Sequence, residues 1–259
     1  MIRTRESKSA PVGVVVKVLR ILEILHDSPG GLQLKDIAKQ TAINKSTAYR
    51  FLAHLESEKY LFRDETGAYV IGPKLARLGS INYEETLRKI GRSMLQKLWT
   101  LTGETVNLAV LDGFEVIYLD VIESSHTFRL VTQAGARRPV YCTSLGKAMA
   151  AYLPEAELQE LLISTKYQRF TPRTLVQPAR LKRELLKVRE QGFAVDNEEA
   201  VPGARCVAAP IFDSSGKVVA AISVSGPITR ITEDKMPSLA ASVKKAAGIV
   251  STRLGYSGF

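Results

Sequence analysis

Cysteine is scarce in this 259-residue chain. Cys142 and Cys206 stand 64 positions apart, which excludes a disulfide framework and a Cys-x-x-Cys metal knuckle and fits a reducing compartment. Histidine is nearly as rare: His26, His54 and His126 are isolated from one another, so neither a metal site nor a His-based catalytic triad is expected. No apolar run reaches the roughly 18 residues of a membrane-spanning helix. The stretch from Val12 to Val16 is too short for a secretory core and is broken by Lys17. A cytoplasmic chain without a membrane partner is the expectation. The common nucleotide and hydrolase signatures are missing as well. Gly146-Lys147 has no glycine five positions earlier and is followed by Ala148 instead of Ser or Thr, so it is not a phosphate-binding loop. Neither GxGxxG, HExxH nor GxSxG occurs. The expectation is therefore a non-enzyme with no cofactor, no metal and no catalytic residue.

What is present is an ordinary globular composition, 45% hydrophobic and 24% charged, with an excess of base: 36 Lys and Arg against 26 Asp and Glu, a net charge of +10. Such an excess suits a polyanionic partner. It is concentrated early. Residues 1–80 hold 13 basic and 8 acidic side chains, so the first third is the more basic part per residue. The length suits two domains. Residues 1–11 read as a flexible basic arm.

Val15, Val18, Leu19, Leu22 and Leu25 recur at helical spacing over about 14–26, and Ser28-Pro29-Gly30-Gly31 ends that helix. A second short helix follows at Leu34 to Gln40, then a tight connection, Thr41-Ala42-Ile43. A third begins behind Asn44, a good N-cap, and runs to about Leu55. Ala48, Phe51, Leu52 and Leu55 form its apolar stripe, and Lys45, Ser46, Thr47, Tyr49, Arg50 and Ala53 lie opposite. Two short helices joined by a tight turn, the second with a polar outer face, describe a helix-turn-helix over about 33–52. The first turns of its second helix reach base edges in the major groove. Lys45, Ser46, Thr47, Tyr49 and Arg50 are the candidate DNA contacts. Tyr60 to Arg63 and Ala68 to Ile71, joined by Asp64-Glu65-Thr66-Gly67, read as a hairpin. That makes the module a winged helix and aims Arg63, with Thr66, at the DNA backbone. The competing reading is a helix pair packed inside an all-α protein.

Beyond residue 89 the pattern alternates. A helix is expected over Leu87 to Leu101, strands near 105–111, 116–122 and 128–133, and helices at 145–152, 155–163 and 178–190. Two strands, near 206–210 and 218–225, and a last helix over 233–253 close the chain. Consecutive strands with short turns favour an antiparallel α+β sheet. Alternation along Val218 to Ser225 places Ser223 and Ser225 on one face. A helix capped by Thr143 or Ser144 offers free N–H groups suited to a carboxylate. Those features suit a small organic acid. The alternative is that the two serines bond only to backbone or water and that Cys206 is a buried apolar residue. Asp196, Glu198 and Glu199 form a carboxylate cluster without a partner at a recognisable spacing.

Five strings in order resemble the IclR family of bacterial transcriptional regulators: Asn44-Lys45-Ser46-Thr47-Ala48-Tyr49-Arg50-Phe51-Leu52 with Tyr69-Val70-Ile71-Gly72; Tyr141 to Ala148; Gly192 to Glu199; Gly203 to Pro210; and Ile222 to Pro227. The resemblance implies a winged helix-turn-helix (12–74), a linker helix (75–88) and a GAF-like antiparallel-sheet effector domain (89–259). It also implies a homodimer or homotetramer on a palindromic double-stranded DNA operator. In similar regulators a small carboxylate lies against the positions of Asp196, Cys206, Ser223 and Ser225, with backbone groups at Ser144 and Leu145. Leu130 and Ala204 are candidates for the apolar wall, and Arg138 stands where an apolar residue is usual. The stretch Tyr167 to Thr174 is similar to sugar-acid-responsive members. The function expected is a regulator, a repressor of a carbon-catabolism operon, whose operator affinity follows a small organic acid. The alternative is a small-acid sensor or enzyme with a GAF-like domain that does not bind DNA.

Overall fold

The computed structural model describes residues 13–75 and 83–258. The expected basic arm, residues 1–11, lies outside them, as does the 76–82 part of the expected linker helix. The chain divides into two compact units between Tyr83 and Glu84.

The first unit holds α1 (Gly13–His26), α2 (Leu34–Thr41), α3 (Lys45–Ser57), β1 (Leu61–Arg63) and β2 (Tyr69–Ile71). Its core joins Ile21 and Leu25 of α1 to Ile37, Ile43, Ala48, Leu52, Leu61 and Tyr69. The apolar face of α1 is therefore not wholly spent inside the unit. Val15 and Leu19, expected on the packed side, are more than half exposed, and Ile21 takes the buried place. The turn between α2 and α3 pivots on Ala42 in the left-handed conformation, φ 55°. Asn44 then caps α3 by accepting from the Ser46 N–H at 3.0 Å. The two strands pair antiparallel, Leu61 opposite Ile71 and Arg63 opposite Tyr69. Their turn is closed by Asp64, whose carboxylate accepts from the N–H groups of Thr66 and Ala68.

The second unit is a six-stranded antiparallel sheet, order β5-β4-β3-β8-β7-β6. Its strands are β3 (Thr105–Asp112), β4 (Glu115–Ile122), β5 (Arg137–Pro139), β6 (Ala194–Asn197), β7 (Ala204–Phe212) and β8 (Val218–Pro227). On one face lie α4 (Tyr83–Thr102) and α8 (Met236–Arg253), which cover Val106, Leu108, Ala209, Ile222 and Val224. On the other lie α5 (Ser144–Ala150), α6 (Glu155–Ser164) and α7 (Pro178–Gln191), over Ala109, Val116, Ala194, Ala208 and Ala221. A sheet packed on both faces explains why its central strands are apolar almost throughout.

Two elements differ from expectation. Residues 128–133 do not form a strand; the place beside β4 is taken by β5, with Ile117 opposite Arg137. Phe128 and Val131 are exposed, so the segment lacks the buried apolar side chains that a strand at this sheet would show. The segment is instead fastened by side chains: Thr105 Oγ1 donates to the Leu130 carbonyl at 2.7 Å. The second difference is β6, a short edge strand that the sequence pattern did not single out.

Candidate functional site

The outer face of α3 is solvent-facing. Lys45, Ser46, Tyr49 and Arg50 are exposed, while Thr47 is half-buried. Ser46 turns its hydroxyl back to Asn44 Oδ1 at 2.8 Å, which leaves its oxygen free to accept. Arg63 is differently placed. It pairs with Glu56 at 3.3 Å and its guanidinium lies 4.6 Å from the Tyr69 ring centre. Thr66 donates to Asp64 at 2.7 Å. Thr66 is thus tied within the hairpin and Arg63 to the far end of α3, whereas the start of α3 holds its basic pair, Lys45 and Arg50, out in water.

In the second unit the expected effector residues converge. The register explains how: Asp196 lies opposite Cys206, Cys206 opposite Ser225, and Ser225 opposite Thr105, one row across four strands. The adjacent row sets Ala208, Ser223 and Asn107 side by side. Directly opposed residues share a face, so hydroxyls, thiol and carboxylate gather over one patch of sheet. The start of α5 faces that patch. Asp196, Cys206, Ser223 and Ser225 line one cavity of about 90 Å³ together with Ser144 and Leu145. Leu130 and Ala204 are in its wall, and Arg138 is the one cation among its lining side chains. Glu198 stays outside. It adopts φ 61° and binds Arg173 at 3.4 Å.

Thr143 is the cap of α5, accepting from the Gly146 N–H at 3.1 Å while donating to the Pro139 carbonyl at 3.0 Å. Gly146 is required here for space. A Cβ on it would stand 2.4 Å from the Val140 carbonyl oxygen. Close seating brings the first turn of α5, whose N–H groups have no partner within the helix, to the cavity wall.

Two polar residues that the sequence did not point to stand behind the cavity lining and hold it. Asn107, from β3, donates its amide to Ser223 Oγ at 3.1 Å and to Ser225 Oγ at 3.2 Å. Its own Oδ1 is buried without a partner. Lys147, wholly buried on α5, pairs with Glu199 at 2.5 Å and reaches Glu184 at 3.6 Å. Glu199 in turn keeps Oε2 unpaired and donates its N–H to Asp196 Oδ1 at 2.7 Å. Burial pushes the Asp196 carboxyl up to about 7, and the charge of Glu199 adds to the rise. Burial raises Glu199 too, against the pull of Lys147. Burial carries Cys142 up to about 12 and lifts Cys206 and Tyr118 as well. Both thiols are neutral near pH 7 and unsuited to nucleophilic or metal chemistry. Among the described residues no group of His, Cys, Asp and Glu could hold a metal ion. The arrangement is a small polar binding cavity with one cation and one easily protonated acid.

Comparison with known proteins decides the family. The model of the bacterial transcriptional regulator IclR C-terminal domain matches residues 83–252, and that of the IclR helix-turn-helix domain matches residues 14–65. The chain belongs to the IclR family. Among IclR relatives, it is 36% identical over 241 residues to the HTH-type transcriptional regulator BhcR of Paracoccus denitrificans, covering 92% of this chain and 86% of that one. It is 35% identical over 261 residues to the HTH-type transcriptional repressor AllR of Escherichia coli K12, covering 98% and 96%. The solved IclR of Thermotoga maritima superposes with a TM-score of 0.65 at 36% identity, over 94% of this chain and 99% of that one. An IclR homologue from Microbacterium hydrocarbonoxydans, solved as a complex with 4-hydroxybenzoate, gives 0.61 at 25% identity, over 93% and 98%. As an IclR regulator the chain is a DNA-binding transcription factor with a C-terminal ligand-binding domain, not an enzyme. No described helix is long and apolar enough to cross a membrane.

Proposed function

We propose that this regulator is a repressor whose hold on a palindromic operator is set by a small organic acid in the cavity at Ser223 and Ser225. The observation that carries the reading is the convergence of Ser144, Leu145, Asp196, Cys206, Ser223 and Ser225 on that one cavity. The carboxylate rests against the N–H groups of Ser144 and Leu145, with Arg138 adding positive charge. The serine hydroxyls, oriented by Asn107, and protonated Asp196 hydrogen-bond the rest of the molecule. A cavity this size suits a few heavy atoms, well below the 300–1,000 Å³ typical of larger ligands. Such an acid suits control of a carbon-catabolism operon. AllR is named a repressor, and 4-hydroxybenzoate is the carboxylate held by the Microbacterium homologue; both support the reading.

A two-fold operator requires at least a homodimer, or a homotetramer of two such pairs, acting on DNA in the cytoplasm. In each copy Lys45, Ser46, Thr47, Tyr49 and Arg50 enter the major groove, and Arg63 meets a phosphate. The acid acts by binding one arrangement of the assembly better than another, since only a difference in affinity shifts the balance.

Two measurements test the reading. Arg50→Ala should weaken specific operator binding by about 1–3 kcal/mol, the worth of a base-edge contact, while binding to unrelated DNA falls much less. Wild-type affinity should decline with salt at a slope of about −0.9 per phosphate contact. Unchanged operator affinity in Arg50→Ala would remove α3 as the recognition helix. A thermal-shift screen of small keto and hydroxy acids should find one that raises the melting temperature and alters operator binding. Ser223→Ala should weaken that response by about 0.5–1.5 kcal/mol, one hydrogen bond's net worth. A full response in the variant would show that Ser223 meets Asn107 alone.

A further inference from the structure

A second, larger cavity lies on the other face of the sheet. It holds about 430 Å³, and its walls come from the end of α4, from β8, from the turn after β8 and from the first turns of α8. Val224 faces it, so it is separated from the first cavity by the thickness of β8, where Ser223 and Ser225 point the opposite way. Its volume is in the range of sites for small organic ligands.

The lining has two characters. Leu101, Val224, Ile231 and Leu239 make it apolar. Leu101 is 66% exposed, so its side chain is open to an apolar ligand seated in the cavity. The charged groups are Arg230, Lys235 and Glu104. Glu104 is buried and taken up by Arg230, which grips it through both Nε and an Nη atom. Among the described residues Lys235 forms no ion pair: its Nζ donates to the Arg230 carbonyl at 3.4 Å. Once the Arg230–Glu104 pair cancels, one exposed ammonium is left, and the imidazole of His126 also lines the cavity. Of the nearby acids, Glu233 is turned to Arg205 at 3.4 Å, and Asp234 is close enough for its charge to act on Lys235 without forming an ion pair with it.

We infer that this cavity is a second ligand site, for a molecule with an apolar body and a single anionic head, an aromatic or branched monocarboxylate, whose carboxylate pairs with Lys235 while its body covers Leu101 and Leu239. Arg230 ties the site to the rest of the domain. It donates to the Phe128 carbonyl at 2.8 Å, and Phe128 belongs to the segment whose Leu130, Val131 and Thr132 roof the first cavity. A ligand seated against Arg230 therefore touches a residue bonded to that segment two positions before Leu130, where Thr105 fastens it.

The test uses the full chain and benzoate as probe, in calorimetric titration. Saturable binding is expected in the millimolar range or tighter, with benzyl alcohol clearly weaker. Lys235→Gln should lower benzoate affinity about threefold to fivefold, the worth of one exposed charge pair. Leu239→Trp, which fills the cavity, should remove it, and Ser223→Ala should leave it unchanged. The site is refuted if no saturable binding occurs, as when a second copy covers this face. It is refuted equally if Ser223→Ala weakens binding while Lys235→Gln does not, because benzoate then occupies the first cavity. Equal affinity for benzyl alcohol would refute the anionic head. Lys235 is on the surface, so its variant tests the idea even if Leu239→Trp fails to fold.

Discussion

Replacing Lys147 with alanine is expected to destabilise the C-terminal unit by about 3–5 kcal/mol, the usual result of removing one partner from a buried ion pair. Lys147 is fully buried, and its ammonium is the positive centre of a group that includes Glu199 and Glu184. Without it Glu199 keeps a charge in the interior with no cation beside it, and its Oε2 is already unpaired. The loss should appear in chemical denaturation and as a fall in melting temperature on the order of 10 °C. The double variant Lys147→Met with Glu199→Gln should recover much of it, since hydrophobic or neutral replacements of buried pairs are often tolerated. A loss under about 1 kcal/mol in the single variant would mean that water reaches this group and that the pair is no more than a surface bridge.

The second large effect is one of pH. The Asp196 carboxyl is pushed from its ordinary 3.8 up to about 7, first by burial and then by Glu199. A carboxyl raised on folding holds its proton in the folded state when the unfolded chain has released it. Its stabilising contribution is complete below pH 3.8 and is lost as pH rises to about 7. The full span is on the order of 4 kcal/mol. Asp196→Asn should abolish this dependence, so that the variant gains on the wild type steadily as pH rises through that window. Denaturation midpoints of the two proteins at several pH values provide the measurement. Parallel curves would mean that Asp196 is ionised throughout, and a carboxylate ligand would then meet a like charge in the cavity.

Local pattern made much of this architecture legible. Asn44 announced the start of α3, and the alternation of β8 placed Ser223 and Ser225 on one side, as the cavity they share requires. What was hidden depends on long-range register or on burial that contradicts residue type. Asn107 joins the serines only because β3 pairs with β8, more than 100 positions away in sequence. No local pattern encodes that pairing. Lys147 stands in a helix where lysine ordinarily means solvent. Its partner Glu199 is 52 positions off, so the carboxylate cluster looked unaccompanied. The segment 128–133 misled for the opposite reason. Its apolar residues suit a strand, but a strand also needs a free neighbour, and β5 occupies that place. In α1, spacing identified a helix but not which of its apolar residues stay outside.

The outermost strands of the six-stranded sheet, β5 and β6, are only three and four residues long, and β5 is spelled Arg137-Arg138-Pro139. Arg137 is held by Asp112 and Glu115, and Pro139 has no N–H to donate. Neither rim offers the long row of unpaired amides on which sheets grow from chain to chain. Short, charged rims of this kind guard the domain against fibril growth by strand addition.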